Sequence, residues 1–140
     1  MDVKNKRVVV TGAASGIGKA LCEAFHQAEA KTVIAVDMNL EGAQDTADSV
    51  NGIAVQANVG NEEEIINVIQ KADEHAGGTD IFCSNAGIGG VPGAFEAGAP
   101  DWQNIWDVNV QSHIFAAKHV LPQMIERGEG YLVNTSSAAG

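Results

Sequence analysis

The sequence has 140 residues, 45% of them hydrophobic and 19% charged, which predicts one folded domain and excludes a disordered chain. Eight basic against 18 acidic residues give a formal net charge of −10, a balance that repels a phosphate backbone and excludes general nucleic-acid binding. No apolar run approaches the roughly 20 residues of a membrane span, and the first apolar run is too short for a signal-peptide core. Cys22 and Cys83 lie in apolar stretches without metal-ligand spacing, which predicts two buried thiols, no metal and a cytoplasmic address.

The pattern then alternates between strand and helix. Lys4, Lys6 and Arg7 read as a solvated edge beside the first strand, Arg7–Thr11, whose β-branched run predicts burial on both faces. A helix follows from Gly16 to about Ala28, with Ile17, Leu21, Ala24, Phe25 and Ala28 at helical spacing. Thr32–Val36 is a second apolar strand ending at Asp37, Leu40–Val50 a second helix, and Gly52–Gln56 a short third strand. Asn61–Ala76 reads as a helix in which Asn61 and Glu64 form a capping pair, stopped by Gly77 and Gly78. Ile81–Ser84 is a fourth strand, followed by a glycine-rich loop from Gly87 to Pro100. Asp101–Arg127 is one long helix or two in tandem, with Pro122 kinking it or marking its last turns. Tyr131–Asn134 is a fifth strand, with Tyr131 in the strand core. This order predicts an α/β fold of the Rossmann type, a doubly wound parallel sheet with helices on both faces. Ligands bind such sheets beyond the carboxyl ends of the strands, where the strand order reverses.

Two features lie at that place. Strand one runs into Thr11-Gly12-Ala13-Ala14-Ser15-Gly16-Ile17-Gly18 and then a helix. Glycines let the backbone turn and approach a pyrophosphate, and the helix N-terminus presents free N–H groups to it. Asp37 ends strand two, 19 residues after Gly18. A carboxylate there accepts from ribose hydroxyls and repels a 2′-phosphate, which favours NAD over NADP. Ser15 and Met38 supply no cation for such a phosphate.

The loop TGAASGIG, with its GxxxGxG spacing, resembles the short-chain dehydrogenase/reductase family. Further matches follow in order. Asn85-Ala86-Gly87 is similar to the family's NNAG motif, with Ser84 in place of its first asparagine. Trp106-Asp107-Val108-Asn109 is similar to the helix that holds its catalytic asparagine, and Leu132–Ser137 to the strand that ends at its catalytic serine. The resemblance covers essentially the whole chain. It implies that Gly12, Gly16, Ile17 and Gly18 cradle the pyrophosphate of NAD, and that Asp37 holds the adenosine ribose. Asn58 and Val59 would meet the adenine, Asn58 standing where the family has aspartate and keeping a carbonyl acceptor for the adenine amino group. Asn85, Ala86 and Gly87 would line the nicotinamide-side ribose. Asn109 would order a water in a proton relay, and Ser137 would hydrogen-bond the substrate oxygen. The implied activity is hydride transfer between NAD and a secondary alcohol or ketone.

The family's YxxxK motif is expected about a dozen residues beyond Ser137, and the sequence given ends at Gly140. Tyr131 does not replace it, because the fourth position after it is Thr135. The chain is therefore expected to be the N-terminal, NAD-binding portion of such an enzyme, a single domain over residues 1–140. The alternative is a non-catalytic dinucleotide-binding or protein-interaction module that pairs through the open edge of strand five. The helix at 101–127 carries more than one apolar face, as for packing against both the sheet and a second subunit in a homo-oligomer, or for burial on both sides within one subunit. Residues 88–98 are expected to rim the substrate pocket.

Overall fold

A computed structural model describes residues 2–90 and 96–137. Five strands form one sheet: β1 (Arg7–Thr11), β2 (Thr32–Asp37), β3 (Ile53–Gln56), β4 (Ile81–Ser84) and β5 (Tyr131–Asn134). All neighbours are parallel, in the order β3-β2-β1-β4-β5. Between them run α1 (Gly16–Gln27), α2 (Leu40–Ser49) and α3 (Glu62–Ala76), then α4 (Ala99–Trp106), a π-helical turn at Asp107–Gln111, and α5 (Ser112–Arg127). The doubly wound sheet expected from the sequence is the fold observed.

Strand periodicity sorts the core into two layers, because successive side chains leave a strand on opposite faces. Val9, Ile34, Val36 and Phe82 pack with Ile65, Val68 and Ile69 of α3 and Ala116, Val120 and Met124 of α5. Val8, Val10, Val33, Ala35, Ile81 and Cys83 pack on the other face with Cys22 of α1 and Ala47 of α2. Both thiols are buried, as expected, and burial pushes each up to about 12.

Three local expectations are corrected. The buried stripe of α1 is Gly18 and Cys22, flanked by half-buried Leu21 and Phe25, whereas Ile17, Ala24 and Ala28 are exposed. The basic residues before β1 are not simply solvated. Lys6 pairs with Glu129, and Arg7 grips Asp80, its Nε donating to Oδ2 at 2.7 Å, while also donating to the Gly77 carbonyl. That grip ties the amino end of β1 to the start of β4 and holds the Asp80 carboxyl below its ordinary range. Tyr131 is 39% exposed on an edge strand and is not core. Of the two alternatives for 101–127, the structure has the tandem pair, α4 and α5, joined through the π turn, with Pro122 in the last turns of α5.

Candidate functional site

The order reverses at β1, so the carboxyl ends of β1, β2 and β4 open one crevice. The turn from β1 into α1 is built around two glycines. Gly12 has φ +70°, and a Cβ there would lie 2.8 Å from Ala86 Cα. A Cβ on Gly18 would lie 1.9 Å from the Gly12 carbonyl oxygen. Glycine at both positions is thus required by contact, with β4's loop on one side and the turn itself on the other. Gly16 has φ +53° and open space around it, so its requirement is conformational.

The first turn of α1 is left uncapped by side chains. Its N-cap, Ser15, makes no side-chain capping bond, and its first turn carries no acid. In α2 and α3 the same place is filled: Asn39 accepts from Gly42 N–H at 3.2 Å, and Asn61 from Glu63 N–H at 2.9 Å. The first N–H groups of α1 therefore keep their capacity for a bound phosphate. Asp37 stands beside them at the end of β2. Its Oδ2 accepts from Ala14 N–H at 3.0 Å and its Oδ1 from Asn39 N–H at 2.9 Å. The carboxylate is fixed by the backbone on both sides, with lone pairs left over for a further donor.

Gly12, Asp37, Met38, Asn58, Val59, Ala86 and Gly87 line one cleft with Ala57, Ile88 and Val108. Met38 is exposed at its rim. A second cleft of about 650 Å³ is lined by Asn85, Asn109, His113, Asn134 and Ser137 among others, a volume inside the roughly 300–1,000 Å³ of ligand pockets. The two clefts share Ala86, Gly87 and Ile88. Predicted residues of both groups thus meet along one continuous groove. Ser15, Gly16, Ile17 and Gly18 are not lining residues of either cleft; they form the α1 end beside Gly12. Of the loop expected to rim the pocket, residues 91–95 lie outside the described residues.

The groove is held by residues that tie distant segments together. Thr11, buried at the end of β1, donates through Oγ1 to the Cys83 carbonyl at 3.3 Å and accepts from the N–H groups of Asn85 (3.0 Å) and Ala86 (3.1 Å). Asn85 donates through Nδ2 to the Thr11 carbonyl at 3.1 Å and accepts at Oδ1 from the Thr135 hydroxyl at 3.0 Å. Its carboxamide therefore braces β1, β4 and β5. Asn109 clamps Ile88 at two points, accepting from its N–H at 2.8 Å and donating to its carbonyl at 3.0 Å. The π turn that carries Asn109 has its Val108 carbonyl served by the Ser112 hydroxyl at 2.6 Å. Such turns recur inside α-helices at functional sites. Ser137 is exposed at the mouth of the second cleft.

Three of these residues carry roles that their sequence neighbourhood does not display. Thr11, Thr135 and His113, whose Nδ1 lies 3.1 Å from Asn134 Oδ1, act across sequence separations of 21 to 75 residues and leave no local signal. Glu64 was legible as a helix-start acid, but it does not cap Asn61. The Asn61 N–H is already taken by the Asn58 carbonyl at 3.0 Å, and Glu64 accepts from Asn58 N–H at 2.7 Å instead.

The family model for short chain dehydrogenases matches residues 6–140. The chain belongs to the short-chain dehydrogenase family. It is 34% identical to glucose 1-dehydrogenase 2 of Bacillus subtilis, covering 97% of this chain and 55% of that protein. It is also 34% identical to an uncharacterized oxidoreductase of Staphylococcus aureus, over 97% of this chain and 60% of that protein. A crystal structure of a short-chain dehydrogenase/reductase from Burkholderia phymatum in complex with NAD superposes with a TM-score of 0.93 at 27% identity, covering 99% of this chain and 51% of that one. The chain thus spans a little over half the length of the relatives it matches.

Proposed function

We propose that this chain is the cofactor-binding portion of an NAD-dependent oxidoreductase that moves a hydride between NAD and a secondary alcohol or ketone. The observation that carries the cofactor is the Asp37 carboxylate, locked on Ala14 N–H at 3.0 Å beside an uncapped helix N-terminus. Residues 1–140 form a single dinucleotide-binding domain in this reading.

NAD, when bound, supplies the hydride acceptor at its nicotinamide. The residues of the chain do the rest of the positioning. Gly12 and Gly18 keep the turn open, and the first N–H groups of α1 hold the pyrophosphate, with Ser15, Gly16 and Ile17 presenting backbone rather than side chain. Asp37 accepts from the adenosine ribose and repels a 2′-phosphate, and Met38 covers the base. Ala86 and Gly87 pass the cofactor into the second cleft, their backbone set by Thr11. Ser137 donates to the substrate oxygen there. Asn109 acts through Ile88: its amide is committed to the loop, so it shapes the cleft wall. One lone pair of Oδ1 and one hydrogen of Nδ2 remain for ordering a water in a proton relay.

This reading carries further proposals. The exposed Ile114, Leu121 and Ile125 on α5 meet a second copy, making a homo-oligomer. The protein works in the cytoplasm, which agrees with two unpaired buried thiols. Among the described residues no helix is long and apolar enough to cross a membrane.

Titrating the chain with NAD and NADP tests the cofactor reading. NADP is expected to bind at least about tenfold more weakly, because like charges would stand side by side at Asp37. Equal affinity for both, or affinity for neither, overturns it. For the whole protein, alcohol-dependent NADH formation is expected across a panel of secondary alcohols, and its absence would count against the activity.

A further inference from the structure

We infer that Thr46 is a positioning residue for the dinucleotide turn: from α2, its buried hydroxyl holds one edge of the peptide whose other edge holds Asp37. The inference rests on the NAD reading above and adds to it a residue that lines neither cleft.

Ala13 and Ala14 lie between two glycines with positive φ, Gly12 at +70° and Gly16 at +53°. Glycine leaves its backbone a wide choice of conformations, so the shape of the turn has to be fixed from outside it. β2 fixes the N–H side. Ala13 N–H donates to the Val36 carbonyl at 3.0 Å, and Ala14 N–H to Asp37 Oδ2 at 3.0 Å. The carbonyl side is fixed from α2, where Thr46 Oγ1 donates to the Ala13 carbonyl at 2.8 Å across 33 residues of sequence. The Ala13 carbonyl and the Ala14 N–H belong to one planar peptide unit. Thr46 and Asp37 therefore grip opposite edges of the same plane, and a twist at one edge moves the other.

A threonine inside a helix commonly returns its hydroxyl to the carbonyl one turn back. That option is present here, with the Gly42 carbonyl at 3.1 Å, yet the shorter contact goes to Ala13. Helix α2 is seated close enough for the reach: a Cβ on Gly42 would lie 2.7 Å from Ala14 Cβ. Thr46 and Ala13 are both fully buried, so solvent supplies no donor in place of the hydroxyl. An orphaned buried acceptor is costly. A turn hinged on glycines relieves that cost by rotating the peptide, which takes Ala14 N–H off Asp37. The carboxylate that accepts from the adenosine ribose in the NAD reading then loses its aim.

The test compares Thr46→Val, which keeps the shape and removes the hydroxyl, with Thr46→Ser, which keeps the hydroxyl, in the 140-residue chain. NAD is titrated at a temperature where melting curves show every variant folded. Thr46→Val is expected to bind NAD about tenfold more weakly, the scale of one buried hydrogen bond, and Thr46→Ser within about threefold of wild type. Amide exchange in Thr46→Val is expected to quicken by a larger factor at Ala14 than at Val9 and Ile34 in the sheet. Unchanged NAD affinity in Thr46→Val overturns the inference and leaves the cofactor reading intact. So does exchange that quickens equally at Ala14 and in the sheet, or a Thr46→Ser variant that loses as much affinity as Thr46→Val. If Thr46→Val does not fold, Thr46→Ala takes its place; if neither folds, the hydroxyl serves the fold as a whole and the inference fails. A wild-type chain that does not bind NAD overturns both readings.

Discussion

The groove has two ends made in different ways. At one end, the β1–α1 turn and Asp37 are joined by backbone contacts: a glycine against a carbonyl and a carboxylate on two N–H groups. At the far end, side chains from separate elements do the joining: Thr11, Asn85 and Thr135 in one chain of bonds, and Asn109 on Ile88 in another. The first end tolerates almost no change of shape, because backbone cannot move aside. The second can lose one bond at a time and keep the rest.

That contrast can be broken most sharply at Gly18. Gly18→Ala places a Cβ inside the Gly12 carbonyl, and we expect a loss of about 3 kcal/mol in urea unfolding, together with loss of NAD binding. An unchanged urea midpoint would show that the turn yields and that the contrast is wrong.

Asp80→Asn is the next largest effect and serves as a control remote from both ends. It removes the charge that Arg7 grips, and a loss of about 2 kcal/mol at pH 7 is expected with NAD affinity unchanged. Hydrogen bonding from Arg7 is the main cause that holds the Asp80 carboxyl down. A lowered folded-state value means that this stabilisation is fully present above the unfolded-state value, about 4, and drains away as pH falls through the folded-state value. Unfolding free energy measured against pH should therefore drop on the acid side in the wild type and drop less in Asp80→Asn. Parallel curves would exclude the pair as a source of acid lability.

Asn109→Ala sharpens the other end. Two bonds to Ile88 are lost from a half-exposed position, so about 1 kcal/mol of stability is expected to go. Faster hydrogen exchange should be confined to Ile88 and its neighbours, with NAD affinity reduced far less than in Gly18→Ala. Exchange that accelerates at Ala14 instead would mean that the two ends are one cooperative unit.

The smallest effect is a rate. Burial pushes the Cys22 and Cys83 thiols up to about 12, so iodoacetamide at about pH 8 should label neither in the folded chain. Cys83 lies directly before the Asn85 loop, and its labelling in Asn109→Ala would report opening of that end.

The sequence announced the two ends unequally for the same physical reason. Glycine spacing and a strand-end acid are local signals, so the turn at 12–18 and Asp37 are legible from the order of residues alone. The five strands are equally plain, as β-branched runs in β1 and β2 and as short apolar runs bounded by turn residues in the others. Asn85 and Asn109 are visible as residues, but their partners are not, because Thr135 and Ile88 stand 50 and 21 residues away. The π turn is hidden, as its extra residue leaves no mark on an apolar pattern that is already dense on both sides. Ile17 misleads because an apolar residue at the right spacing can still fall on the open end of a helix, where it is 66% exposed.

The bracing of Asn85 also sets a schedule for folding. Strands β1 and β2 pair across a short stretch of chain, whereas Thr11 and Asn85 are separated by 74 residues and Asn85 and Thr135 by 50. Loop-closure entropy opposes the distant contacts until the nearer sheet exists. During synthesis the β1–α1–β2 unit can therefore form early, while the Asn85 brace is complete only once residue 135 has emerged. Of the bonds made by the Asn85 side chain, the one to Thr135 closes last.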